Sequence, residues 1–118
     1  MKIQVNTDHN IDGTEALAAM VEAELRATLR HFEDRLTRIE VHLGDVDGKK
    51  TRGDVADKRC LLEARPEGMQ PVVATGLGIT IEQACRDAAR KMQSLLRSTF
   101  GRIDARDAGA TIRQNELS

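Results

Sequence analysis

Tryptophan and tyrosine are absent from this 118-residue chain, and phenylalanine occurs only twice. Proteins that read single-stranded RNA by stacking its bases need exposed aromatic platforms. Phe32 falls on an apolar helical stripe and the chain offers no such platform, so a nucleic-acid contact is expected at phosphate, sugar and shape. Cysteine is also scarce. Cys60 and Cys85 each fall on the apolar face of an expected element, which reads as two buried free thiols and argues against disulfide or metal roles. No apolar run approaches the roughly 18 residues of a membrane helix. The first residues lack the basic-then-apolar pattern of a signal peptide, so the expected location is cytoplasmic, with no membrane partner. Net charge is nearly absent too: the formal value of −1 argues against a generic nucleic-acid sponge.

What is present is a soluble, globular composition, 40% hydrophobic and 31% charged. The length suits one domain, large enough to bury a core without metal or disulfide staples. The charge is unevenly spread. Residues 80–102 hold Arg86, Arg90, Lys91, Arg97 and Arg102 against Glu82 and Asp87. Residues 49–59 hold five bases against Asp54 and Asp57, whereas residues 13–36 hold five acids against three arginines. Cationic character is therefore local, and local charge is what a phosphate backbone feels across a Debye length of about 8 Å.

The hydrophobic pattern predicts β-α-β-β-β-α. Residues 2–7 alternate, with Ile3 and Val5 inward. After a turn at 10–13, a helix over about 14–36 carries the stripe Leu17, Met20, Val21, Leu25, Leu29, Phe32 and Leu36. Its opposite face holds Ala19, Ala23, Arg26, Arg30 and Asp34. Residues 38–43 alternate with Ile39, Val41 and Leu43 inward, and 58–65 with Cys60, Leu62 and Ala64 inward. Between them, 45–57 reads as a charged, exposed, mobile loop. Pro66 to Pro71 turns the chain into a fourth strand over 72–77. Thr80 and Gln83 form a capping-box pattern for a second helix, expected to end near Phe100 with Gly101 beyond it. Residues 1–102 would then be one domain and 103–118 a frayed, flexible tail. Alternating strands bury one sheet face, so the expected fold is α+β: a two-layer sandwich, a four-stranded sheet with both helices side by side on one face.

The second helix carries the main functional signal. At about 100° per residue, Arg86, Arg90 and Arg97 fall within about 40° of one another, with Gln83 and Gln93 in the same sector. They lie opposite Ile81, Ala84, Cys85, Ala88, Met92, Leu95, Leu96 and Thr99. Guanidinium forks on a rigid element suit phosphate, although a cationic stripe is also what an ordinary solvated helix face carries. With both helices on one face of the sheet, Arg26 and Arg30 are expected to join the stripe in one platform.

The element order and several stretches carry a resemblance to a known family. The stretches are Ile39-Glu40-Val41-His42-Leu43, then Asp57-Lys58-Arg59-Cys60 running into Glu63-Ala64-Arg65-Pro66. Gly68, Pro71 and Gly76 follow, then Ala84, Ala88, Lys91 and Leu95 on the last helix. Over about residues 2–102 the chain resembles the bacterial ribosome hibernation-promoting factors, also called ribosome-associated inhibitors or sigma-factor modulation proteins. The resemblance implies a protein that binds the small ribosomal subunit in the channel of messenger and transfer RNA. It implies contact with ribosomal RNA through basic helix surfaces, and silencing of translation in stress or stationary phase. Carried over by position, Lys91 matches a helix lysine of the family, and Arg90 and Arg97 lie close to other basic positions there. Arg86, Arg26 and Arg30 enter through the facing argument.

Catalytic and metal chemistry finds little support. His9, His31 and His42 fall in a loop, on a helix and on an outward strand position, without ligand spacing. Asp45, Asp47 and Gly48 lack the later carboxylates of a calcium loop. Gly76-Leu77-Gly78 ahead of a helix fits an anion site, or simply a strand-to-helix turn. Ser94, Ser98 and Thr99 have no base and acid beside them. No catalytic residue, metal, cofactor or small-molecule substrate is therefore expected. Two non-catalytic readings remain beside an unfavoured small enzyme. One is an RNA-surface binder acting on the ribosome. The other is a protein-interaction module using the exposed sheet face, with Arg38, Glu40, His42, Glu63 and Arg65, or the 45–57 loop.

Overall fold

The structure, a computed structural model, describes residues 1–8, 11, 13–46 and 57–117, with side chains through residue 106. His9 and most of the 45–57 loop, including Asp47 and Gly48, lie outside the described residues. The elements are β1 (Lys2–Thr7), α1 (Glu15–Thr28), a 3₁₀ helix (Arg30–Arg35), β2 (Leu36–Asp45), β3 (Lys58–Pro66), β4 (Val72–Gly78) and α2 (Ile81–Leu117). The four strands form one sheet in the order β1-β2-β3-β4. β1 and β2 are parallel, joined by α1 as a crossover, and the other pairs are antiparallel. This is the expected α+β sandwich, with its strands within two residues of their expected ends.

Alternation in sequence becomes three inward rows across the sheet. Ile3, Ile39, Ala64 and Val72 align; so do Val5, Val41, Leu62 and Ala74, and then Thr7, Leu43, Cys60 and Gly76. In the last two rows β4 carries the smallest residue, Ala74 and Gly76, and α2 lies closest there. A Cβ added to Gly76 would stand 2.2 Å from both the Ala84 carbonyl oxygen and the Ala88 nitrogen. The Gly76-Leu77-Gly78 run is thus strand backbone pressed against a helix, and its glycines leave room for α2. Val21 and Leu25 from α1, Leu29 at its C-cap, and Met92 and Leu96 from α2 complete one core, each fully buried. Burying a side chain of this size contributes about 1.5–3 kcal/mol. Cys60 and Cys85 are free, buried and in contact; hydrogen bonding between them, with burial, pushes the Cys60 thiol above its usual range.

Two helix boundaries differ from the sequence expectation. The first helix, expected to run to about 36, ends at Thr28, with the Leu29 N–H bonded to the Leu25 carbonyl at 2.9 Å. A 3₁₀ helix then swings the chain round so that Phe32 meets Phe100, ring centroids 5.6 Å apart, and β2 can start beside β1. The second helix, expected to end near Phe100, continues through Gly101 to Leu117, across the segment expected to fray. Gly101 keeps helical backbone, because the only positive-φ glycine among the described residues is Gly68. Contacts beyond it outweigh a glycine cost of about 1 kcal/mol. Ile103 packs on the core, and Asp104 accepts from both Arg35 Nη1 and Nη2, at 3.1 and 3.2 Å, while Arg35 lies 4.0 Å over the Phe100 ring.

Both helices start on a threonine cap, the second as its sequence pattern predicts. Thr14 Oγ1 accepts the Leu17 N–H at 3.0 Å, and Thr80 Oγ1 accepts the Gln83 N–H at 3.2 Å. Gln83 closes a variant of the capping box one residue back, its side-chain oxygen accepting from the Ile79 N–H at 3.0 Å.

Candidate nucleic-acid interface

α2 buries Ala84, Cys85, Ala88, Ala89, Met92, Leu96 and Phe100 and exposes Arg86, Arg90 and Arg97. The rise of a helix places Arg90 about 6 Å beyond Arg86 and Arg97 about 10 Å beyond Arg90. Arg90 and Arg97 have no ion-pair partner among the described residues. Arg86 Nη2 lies 2.5 Å from Glu82 Oε1, one turn away, both half-exposed. Such a surface pair is worth only about 0.3–0.5 kcal/mol, so a phosphate can displace it.

The glutamines of the same sector are used inside the protein. Gln93 is half-buried, and its Nε2 donates to the Thr28 carbonyl at 3.1 Å, satisfying a C-terminal carbonyl of α1 and joining the two helices. Gln83 caps its own helix, as above.

Lys91 sits on the flank above β4. Its Nζ pairs with Asp87 at 3.0 Å and donates to the Thr75 carbonyl at 3.2 Å. Asp87 in turn accepts the Leu77 N–H at 3.1 Å. That backbone donor first, then Lys91, holds the Asp87 carboxyl below its ordinary range.

The first-helix arginines separate. Arg30 is exposed at the start of the 3₁₀ helix, with no ion-pair partner among the described residues. Arg26 does not join the stripe. It lies on the α1 flank over β1, held by Glu22 at 3.1 Å, Glu33 at 2.8 Å and the Met1 carbonyl at 3.3 Å. The shared platform expected for all the arginines is corrected accordingly: two carboxylates enclose Arg26, and α1 presents the exposed alanines 16, 19, 23 and 27 beside the α2 stripe.

The outer sheet face is mixed in charge and largely self-satisfied. Arg38 pairs with Glu40 along β2, and Arg65 pairs with Glu63 at 2.9 Å along β3. His42 lies 3.9 Å from Glu40. Asp45 holds Lys58 at 2.7 Å, which raises the lysine's pKa, so its carboxylate serves the β2–β3 pairing. Two features stand outside the site expected from the sequence. Arg59 and Arg102 are exposed cations without an ion-pair partner among the described residues. Leu95 is 41% exposed rather than buried. It lies about 60° around the helix from Met92, at the rim of the apolar arc.

The geometry defines a small α+β domain that turns one cationic helix face to solvent. Residues 3–104 match the family described as Sigma 54 modulation protein / S30EA ribosomal protein, and the chain belongs to that family. Its fold is shared with a ribosomal subunit interface protein from Coxiella burnetii, with a TM-score of 0.68 at 16% identity. That match covers 86% of this chain and 99% of the other. The N-terminal domain of Thermus thermophilus Protein Y superposes with a TM-score of 0.64 at 21% identity, covering 84% and 99%. No curated protein matches by sequence. Among the described residues no helix is long and apolar enough to cross a membrane.

Proposed function

We propose that this protein is a non-catalytic ribosome-associated factor that binds the small subunit through ribosomal RNA and inhibits translation under stress. The observation that carries the reading is the exposed placement of Arg90 and Arg97, with Arg86 beside them, on a helix whose other face is the core. Family membership supports the ribosome as the target. Arg30 extends the cationic surface, Lys91 flanks it, and Arg26 contributes to the protein's own stability. The alanine face of α1 lets a phosphate backbone approach closely. Inhibition is steric, through occupation of the RNA channel, and each arginine–phosphate contact releases counterions. The outer sheet face ranks behind as a partner surface, since its Arg38–Glu40 and Arg65–Glu63 pairs already neutralise one another.

The test is co-sedimentation with purified small subunits through sucrose. Wild-type protein pellets with the subunit. The triple variant Arg86→Glu, Arg90→Glu, Arg97→Glu stays at the top while keeping its thermal midpoint. Wild-type levels of co-sedimentation by that variant refute the arginine assignment, and a complex that survives loss of the RNA refutes the RNA contact.

A further inference from the structure

β4 is an edge strand that α2 only partly seals. The Leu77 N–H and the Thr75 carbonyl turn to the open edge and are taken by Asp87 and Lys91. Strand alternation turns both backbone groups of Val73 and the N–H of Thr75 to the same edge; no side chain caps them among the described residues. Against this edge lies a groove of about 540 Å³ lined by Ala74, Thr75, Arg90, Lys91, Ser94 and Leu95. Its lining holds Arg90, which has no ion-pair partner among the described residues, and Lys91, which Asp87 already pairs. Leu95, 41% exposed, gives it an apolar wall.

We infer that this groove docks an extended acidic peptide segment of a protein partner. Two or three residues of the segment pair with both backbone groups of Val73 and with the N–H of Thr75 as an added strand. An aliphatic side chain rests on Ala74 and Leu95, and a flanking carboxylate meets Arg90. The complementarity of charge selects this occupant. A second copy of the chain, paired edge to edge about a two-fold axis, would bring the Arg90 guanidinium groups of both copies together. A nucleic acid would meet Arg90 but leave the edge amides and the aliphatic wall unused. Lys91 and Asp87 close the rest of the edge, which limits the segment to a short stretch. The inference rests on the strand edge and the groove and stands apart from the ribosomal reading, with Arg90 the residue the two surfaces share.

The test is titration of the nitrogen-15-labelled full chain with the N-acetylated hexapeptide Asp-Glu-Leu-Asp-Val-Glu. Amide shifts are expected at Val73, Ala74, Thr75, Ser94 and Leu95. Leu95→Glu and Val73→Pro each weaken binding about tenfold. Both keep the fold, because Leu95 is half in solvent and proline is accepted where an edge N–H faces out. Circular dichroism and retained subunit co-sedimentation confirm that, and the wild-type shift map stands even if a variant fails to fold. Arg97→Glu, which lies outside the groove, leaves peptide binding unchanged. The proposal is overturned if the hexapeptide gives no groove shifts at about 1 mM, or if Lys-Lys-Leu-Lys-Val-Lys binds equally. It is also overturned if both folded variants bind like wild type. The same shifts on raising the chain's own concentration, or on adding a short single-stranded RNA, assign the groove to those occupants instead.

Discussion

Asp87 of α2 accepts the backbone N–H of Leu77 at 3.1 Å, so a helix carboxylate takes the place of a neighbouring strand. Lys91, paired with Asp87, does the same for the Thr75 carbonyl. Exposed strand edges template self-association, and these two side chains blunt this one.

Replacing Asp87 with alanine removes that cap. A loss of about 1 kcal/mol is expected, on the scale of a single charge-assisted hydrogen bond at the surface. The carboxyl is held below its ordinary pKa in the fold. Its stabilisation is therefore present above the unfolded value of about 3.9 and lost as pH falls through the depressed folded value. Thermal midpoints of wild type and Asp87→Asn measured from pH 6 down to pH 2 are expected to converge on the acid side. Parallel curves across that range count against the assignment.

Gly76 and Gly101 are expected to respond oppositely to alanine. At Gly76 the new methyl would meet the backbone of Ala84 and Ala88, forcing α2 off the sheet at a cost of about 3 kcal/mol or more. At Gly101 nothing lies within 4 Å of the added carbon, and the helix gains about 0.5–1 kcal/mol. Urea unfolding midpoints of the two variants decide this.

Within the arginine set, the ion pairs predict a division of labour. Arg97→Ala is expected to lower the slope of log affinity for small subunits against log salt by about one, with stability changed by less than about 0.5 kcal/mol. Arg26→Ala loses contacts to Glu22, Glu33 and Met1. It is expected to reduce stability by about 0.5–1 kcal/mol and to leave the salt slope unchanged. Binding isotherms at several salt concentrations, read beside thermal melts, separate the two.

The continuation of α2 past Gly101 depends on Arg35. Arg35→Ala removes both bonds to Asp104 and the cation over Phe100, worth about 0.5–1 kcal/mol at an exposed site. Amides beyond residue 101 are expected to exchange faster with solvent than in wild type, with those of β2 and β3 unaffected. Equal exchange along the whole helix in both proteins contradicts the dependence.

Strand placement was legible because inward positions from Ile39 to Ala74 alternate with outward ones that are polar except at Leu61 and Val73, and one buried face demands that register. Sheet order was not. Whether β1 lies parallel beside β2 depends on a crossover that no local pattern records. The first helix was over-extended because Leu29, Phe32 and Leu36 continue the 3.6-residue stripe through a 3₁₀ segment, where Phe32 turns to Phe100. Gly101 reads as a stop signal only while the contacts of Ile103 and Asp104 are unknown. In the site, the exposure of Arg86, Arg90 and Arg97 followed from periodicity alone. The capture of Arg26 was half-visible: Glu22 stands four residues before it, the spacing of a helical ion pair. Glu33 arrives only through the 3₁₀ turn, which periodicity hid. Leu95 marks the resolution limit of a helical wheel, which locates an apolar arc but not its rim.

A 37-residue helix on a 118-residue chain gives principal extents of 66 × 25 × 20 Å and a radius of gyration of 17.4 Å. A compact chain of this length would have about 13 Å. The monomer therefore drags through solvent like a much heavier sphere. On a gel-filtration column calibrated with globular standards it elutes early enough to pass for a dimer, so its stoichiometry has to be weighed by light scattering or sedimentation equilibrium.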